Sequence, residues 1–152
     1  MQKLNKGDKA PAFELLNQNE DVIKLSDYLG KKLLIFFYPK ANTPGCTTQS
    51  CSVSEAREDF SSKNVEVLGI SPDMSDKQKK FDDKYTLGFN LLSDPEHKIA
   101  EAFSVWGEKK MYGKSYMGII RSMFLIDEHG KIIEAFYKIS PKDTVPKAQK
   151  FF

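Results

Sequence analysis

Several things are scarce in this 152-residue chain, and each scarcity narrows its chemistry. It has two cysteines, two histidines and one tryptophan, and its only arginines are Arg57 and Arg121. No charge of one sign dominates: 23 Lys and Arg stand against 21 Asp and Glu, a formal net charge of +2. The lysines are scattered among acids rather than gathered in a block, so neither nucleic acid nor an anionic membrane is expected as a partner. No apolar run approaches the roughly 18 residues of a membrane span, and residues 1–8 lack the apolar centre of a signal peptide. A cytoplasmic location is therefore expected. Gly45 and Gly69 stand alone, so there is no glycine-rich phosphate loop. There is also no repeat, no low-complexity tract and no mark of a second domain.

Two cysteines in a reducing compartment are not a permanent staple. His97 and His129 do not stand at ligand spacing from Cys46 or Cys51, and two thiolates alone make a poor zinc site, so no metal is expected. Four residues separate the cysteines, whereas dithiol oxidoreductases of the thioredoxin kind use Cys-x-x-Cys. No Cys-His-Asn or Ser-His-Asp arrangement argues for acyl transfer. Oxidation at sulfur remains.

What is present reads as a succession of short elements. Residues 13–16 and 22–25 are strand-like around the polar segment 17–21, which predicts an N-terminal hairpin. Residues 26–30 read as one helical turn closed by Gly30. An unbroken apolar run, Leu33-Leu34-Ile35-Phe36-Phe37-Tyr38, predicts a strand buried on both faces, and a helical stretch follows it. Residues 65–70 predict a second strand, parallel to the first across a right-handed crossover. Ser75 is expected to cap a helix to about Tyr85, with Phe81 and Tyr85 buried. Asp94-Pro95 is expected to open another helix, with Ile99, Ala102 and Phe103 on one side. Residues 106–118, rich in glycine, lysine and aromatics, show no clear period and read as a loop whose aromatics cover the core edge or contact a ligand. Residues 122–126 and 131–137 flank Asp127-Glu128-His129-Gly130 as a hairpin. A short helix is expected in residues 141–152, which end in two phenylalanines. The order fits an α/β sandwich of thioredoxin type, in one domain over residues 1–152.

The chemistry gathers between Pro39 and Cys51. Thr43 suits an N-cap and Pro44 the first helical position, which puts Cys46 in the first turn. There the unpaired backbone N–H groups and the positive end of the helix dipole favour thiolate, so the pKa is expected below the free value of about 8.5. By helical count Val53, Ala56 and Phe60 share the face of Cys46, whereas Cys51 turns towards Glu55, Glu58 and Ser62. Five helical residues set the two Cα atoms about 8.6 Å apart, beyond the roughly 4.4–6.8 Å of a disulfide. A bond between them would require the helix to unwind. A thiolate attacking a peroxide O–O bond needs donors for the two oxygens and a cation for the developing charge. The Thr43 hydroxyl and the N–H of Gly45 or Cys46 suit the first need. Arg57 lies roughly 16 Å along the helix and cannot reach the sulfur, which leaves Arg121, although spacing alone equally allows it a surface role.

These residues resemble the peroxiredoxins. The motif Pro39-x-x-x-Thr43-x-x-Cys46 matches the family's active-site motif, and the spacing of Cys46 and Cys51 matches the bacterioferritin comigratory protein or peroxiredoxin Q group. Further matching stretches are residues 7–13, 36–39, 91–94, 107–113 and Arg121-x-x-Phe124-Leu125-Ile126-Asp127. The resemblance implies a thioredoxin-like fold, with a central mixed β-sheet flanked by helices. It also implies a thiol-dependent peroxidase without metal, haem or flavin cofactor, acting on hydrogen peroxide and small organic hydroperoxides. Cys46 would be oxidised to a sulfenic acid and Cys51 would condense with it. Pro39 would shield the sulfur and Thr43 would hold the peroxide. Arg121 would stabilise the thiolate and transition state, with Gln49 supporting it. Thioredoxin or a similar dithiol would be the reductant, and the group is often monomeric. Ala41 departs from the acidic residue common there, and residues 142–152 match poorly. A redox switch with little turnover, or incidental thiols on a thioredoxin-like module, would use the same residues.

If the two sulfurs bond, far-UV circular dichroism of the disulfide form will show less helix than the reduced form; equal helix content in the two would refute unwinding.

Overall fold

The computed structural model describes residues 3–152, so the first two residues of the expected N-terminal segment and domain lie outside it. Its centre is the apolar run. Strand β1 (Glu14–Leu16) pairs antiparallel with β2 (Val22–Lys24), forming the expected hairpin. A 3-10 turn over Leu25–Tyr28 leads through Gly30, at φ +90°, into β3 (Lys32–Phe37). Helix α1 (Pro44–Ser62) then crosses to β4 (Val65–Ser71), which pairs parallel with β3 from Lys32↔Val65 to Phe37↔Ile70. Helix α2 (Ser75–Tyr85) leads to β5 (Asn90–Ser93), parallel to β4. After α3 (Lys98–Ala102) come β6 (Trp106–Met111), β7 (Lys114–Ile119), β8 (Ser122–Ile126), β9 (Ile132–Phe136) and α4 (Thr144–Gln149).

The main sheet has the order β2-β1-β5-β4-β3-β8-β9, with β8 antiparallel to β3 and β9 antiparallel to β8. It is a mixed, thioredoxin-like sheet with an N-terminal hairpin. Because side chains alternate along a strand, β3 feeds two cores at once. Leu34, Phe36 and Tyr38 join Cys46, Val53 and Phe60 on one face. Leu33, Ile35 and Phe37 join Ala100, Phe103 and Phe124 on the other. A strand flanked on both sides and covered on both faces has no polar position to show, which is why its sequence is continuous rather than alternating. Among the described residues no helix is long and apolar enough to cross a membrane.

Three expectations are corrected in detail. Met74, in extended conformation, is the N-cap of α2, and Ser75 is its first residue. The segment after Asp94-Pro95 is a turn, and α3 begins only at Lys98; the Asp94 carboxylate accepts from the N–H groups of Ile99 (3.1 Å) and Ala100 (2.9 Å), satisfying donors at the helix start. As a result Ala100 rather than Ala102 faces the core, and Ala102 is exposed. Residues 106–118 are not a loop. They form most of a two-stranded antiparallel sheet, β6 on β7, that reverses at Tyr112 (φ +52°) and Gly113 (φ +78°). Two left-handed residues in succession make the tight reversal a twisted hairpin requires. A tyrosine in place of the usual Asn or Asp, together with the scattered lysines, hides that signal.

Gly69 sits at the centre of β4, where an added Cβ would lie 3.0 Å from both Phe36 Cζ and Tyr38 Cε1 and 3.1 Å from Leu91 Cδ2. Gly69→Ala is expected to overpack this core and cost about 1–3 kcal/mol, read from the urea unfolding midpoint.

Candidate active site

The candidate site lies where β3 ends and α1 begins. The Tyr38 N–H still donates to Ile70 O (3.0 Å), after which the chain leaves the sheet through Pro39. Three anchors hold the loop that follows. The Ala41 N–H donates to Asp73 Oδ2 (2.7 Å), a carboxylate that also accepts from Ser71 Oγ (2.7 Å). Asn42, at φ +63°, accepts on Oδ1 from Tyr85 Oη (3.2 Å) and Lys84 Nζ (3.4 Å). Thr43 has the extended conformation of an N-cap (φ −99°, ψ 158°) and Pro44 follows at the first helical position, as expected. Its hydroxyl, however, donates to Lys40 O (2.7 Å) rather than to the helix. That commits its one hydrogen inside the loop and leaves its lone pairs as acceptors.

The first intrahelical bond runs from Thr47 N–H to Thr43 O (2.8 Å), so the N–H groups of Gly45 and Cys46 have no carbonyl partner within the helix. Cys46 is the third residue of α1, a free thiol in the buried cluster with Tyr38 and Val53. It keeps 1% of its surface exposed. Burial this tight means that an oxidant must be small or must displace the neighbouring side chains.

Arg121 enters from the start of β8. Its Nη2 lies 3.1 Å from the position a Cβ on Gly45 would take, and its Nη1 donates to Gln49 Oε1 (2.8 Å). The guanidinium therefore lies against the first turn of α1, so close to Gly45 that a side chain there would have to push it aside by a few tenths of an ångström. Gln49 is fully buried, one turn beyond Cys46. Arg57 is occupied elsewhere: its Nη1 donates to Ser54 O (2.9 Å) and Ser54 Oγ (2.7 Å), and its guanidinium packs on Gly88.

The structure thus brings together Cys46, Gly45, Gln49 and Arg121 at the head of α1, with Pro39 and Thr43 in the loop that precedes it. Cys51 is half-buried on the side of the helix carrying Glu55, and it too is a free thiol. Burial, and secondarily the Glu55 carboxylate, push its pKa up.

Sequence reasoning missed three neighbours. Lys109 on β6 is half-buried, its pKa pushed down first by burial and then by the Arg121 guanidinium, while Cys46 pulls the opposite way. The Tyr38 phenol, raised by burial above all, stays neutral and donates to Gln78 Oε1. Gln78 Nε2 in turn donates to Ser71 Oγ and Leu92 O, each at 2.9 Å. Asp73 is the third, because its bond to the Ala41 N–H leaves no mark in the sequence. His97 stacks flat on Trp106 (3.8 Å between centroids, 1° between planes), and His129 sits in the turn between β8 and β9.

The model of the AhpC/TSA family matches residues 6–135. The chain belongs to the AhpC/TSA family of peroxiredoxins. It is accordingly a thiol-dependent peroxidase. Among similar proteins, "Putative peroxiredoxin bcp" of Haemophilus influenzae is 52% identical over 143 residues, 94% of this chain and 92% of that protein. "Peroxiredoxin Bcp" of Bacillus subtilis is 49% identical over 142 residues, 93% and 90% of the respective chains. A solved structure of a Xylella fastidiosa PrxQ cysteine-to-serine mutant superposes with a TM-score of 0.90 at 31% identity, covering 99% of each chain. Peroxiredoxin Q of Xanthomonas campestris gives 0.86 at 32%, covering 91% of this chain and 88% of that one.

In this peroxiredoxin a raised Cys51 pKa means that its thiolate fraction grows only above the ordinary thiol range. In a Cys46→Ser variant, iodoacetamide alkylation of Cys51 should reach half its maximum at a higher pH than that of cysteine in a short unstructured peptide. Glu55→Gln should move that midpoint down, and a midpoint unmoved by the substitution would contradict the role of the carboxylate.

Proposed function

We propose that Cys46 is the peroxidatic thiol and Cys51 its resolving partner in the reduction of hydrogen peroxide and small organic hydroperoxides. The Cys46 thiolate attacks one peroxide oxygen, forming an S–O bond as the O–O bond breaks. The second oxygen leaves as water or alcohol once it is protonated. The Cys51 thiol then attacks the sulfenic sulfur, an S–S bond forms, and water departs. A dithiol reductant of thioredoxin type accepts the disulfide by exchange and restores both thiols. The observation carrying this reading is the Arg121 guanidinium, seated on Gly45 and bonded to Gln49 over the turn that bears Cys46. It places a positive charge beside the N–H groups of the helix start, where negative charge passes from sulfur to the leaving oxygen.

In this reading Pro39 limits access to the sulfur. Thr43 Oγ1, its hydrogen given to Lys40 O, accepts from the peroxide O–H while the N–H of Gly45 or Cys46 donates to an oxygen. Both cysteines lie in one continuous 19-residue helix, so the first turns of α1 unwind before the sulfurs meet. The protein acts as one domain over residues 1–152, as a monomer, in the cytoplasm where dithiol reductants are kept reduced.

With thioredoxin, thioredoxin reductase and NADPH, Cys46→Ser should consume no peroxide. Cys51→Ser should consume about one equivalent and stop as the sulfenic acid. Sustained thioredoxin-dependent turnover by the Cys46 variant would refute the assignment, and a wild-type chain that stops after one equivalent would be a redox switch.

A further inference from the structure

The C-terminal segment follows the last residue matched by the family model, and it docks on α1. Phe152 meets Phe60 edge-on at 6.2 Å and Phe151 meets Phe136 at 5.8 Å, while Thr144 and Ala148 are fully buried. Within it Thr144 Oγ1 donates to Ser140 O (3.1 Å) and accepts from Gln49 Nε2 (3.0 Å). Gln49 Oε1 in turn accepts from Arg121 Nη1 (2.8 Å). These bonds form a relay with a single direction. A threonine hydroxyl has one hydrogen, and with that hydrogen given to Ser140 O it faces Gln49 only as an acceptor. The amide must then present its NH2 to Thr144 and its carbonyl to Arg121.

Resting on the peroxidase reading above, we infer that Thr144 is a positioning residue for that reaction: its hydroxyl sets the orientation of the Gln49 amide and thereby holds Arg121 over the turn carrying Cys46. Without the hydroxyl the buried amide NH2 loses its acceptor, and a turn of the side chain to find another takes the carbonyl away from Arg121. A turned amide offers NH2 to a guanidinium that can only donate, so the guanidinium loses its acceptor and its seat on Gly45. The hydrogen bond to a charged donor is the strong member of the relay, and orienting it is what the tail contributes.

Thr144→Val keeps the shape and removes the acceptor; Thr144→Ser keeps the acceptor. Reduced full-length protein is mixed with hydrogen peroxide and quenched with an alkylating mass tag, and the rate of Cys46 oxidation is followed by mass spectrometry. Thr144→Val should be slower on the order of tenfold, as expected when a charged group shifts from its working position, and Thr144→Ser should stay within about twofold of wild type. The decisive arm is a cycle with Gln49→Glu. A carboxylate offers acceptors at both ends, so its orientation no longer matters, and Thr144→Val should cost less than about twofold in that background. If melting curves show Thr144→Val unfolded, Thr144→Ala is read in the same cycle. Oxidation of Thr144→Val at the wild-type rate, or an equal penalty in both backgrounds, would overturn the relay and leave Thr144 a packing residue. A wild-type chain whose Cys46 is not oxidised would bring down the peroxidase reading and the relay with it.

Discussion

The contact between the Arg121 guanidinium and the first turn of α1 is the constraint around which the rest of the site is arranged. It joins β8, in the middle of the sheet's antiparallel side, to the helix that crosses from β3 to β4. It is close because residue 45 has no side chain, and it is held because Gln49, one turn later, offers a buried carbonyl oxygen. A partly buried guanidinium is steadied when a donor is satisfied, and a glutamine amide satisfies one without adding an opposing charge that would offset its field near the helix start. The positive charge thus stays available to whatever negative charge develops at the head of the helix.

That contact in turn depends on how the sheet is assembled. β3 lies between β4 and β8, so one strand positions both the loop leading to Cys46 and, through β8, the arginine. Alternation along β3 sends Phe36 and Tyr38 beneath α1 and Phe37 to the opposite core. The loop above is tied down by Asp73 and by the end of α2, so the turn after β4 and the second helix belong to the site although neither carries its chemistry. The C-terminal segment packs against the same helix from outside and reaches the same glutamine.

The two thiols occupy contrasting places on one helix. Cys46 is enclosed among apolar side chains at the end where backbone N–H groups converge. Cys51 is half-buried, and that burial, with the Glu55 carboxylate adding to it, disfavours its ionised form. A helix that keeps them apart maintains that contrast, and bringing them together requires giving up its first turns, including the one in which Gln49 lies. Any disulfide between them would therefore disturb the stretch of backbone that also carries the Gln49 partner of Arg121.

Most of the fold could be read from local pattern. The continuous apolar run, the hairpin at Asp127-Glu128-His129-Gly130, the Thr43-Pro44 helix start and the stripe of Cys46, Val53 and Phe60 all follow from periodicities of 2 and 3.6 and from turn chemistry acting within a few residues. Where the signal was diluted, as in the Tyr112-Gly113 reversal, the hairpin between β6 and β7 was read as a loop. The sequence by itself therefore determined most of the elements, the position of Cys46 at a helix head and the opposed faces of the two cysteines, and family resemblance pointed to Arg121. Only the tertiary structure decided what surrounds the sulfur: the seat of Arg121 on Gly45, the anchoring of the loop by Asp73, the approach of Lys109 and the reach of Thr144 to Gln49. Those contacts join residues separated by 32 to 95 positions, and no local periodicity encodes a distance that arises only when the sheet brings its strands side by side.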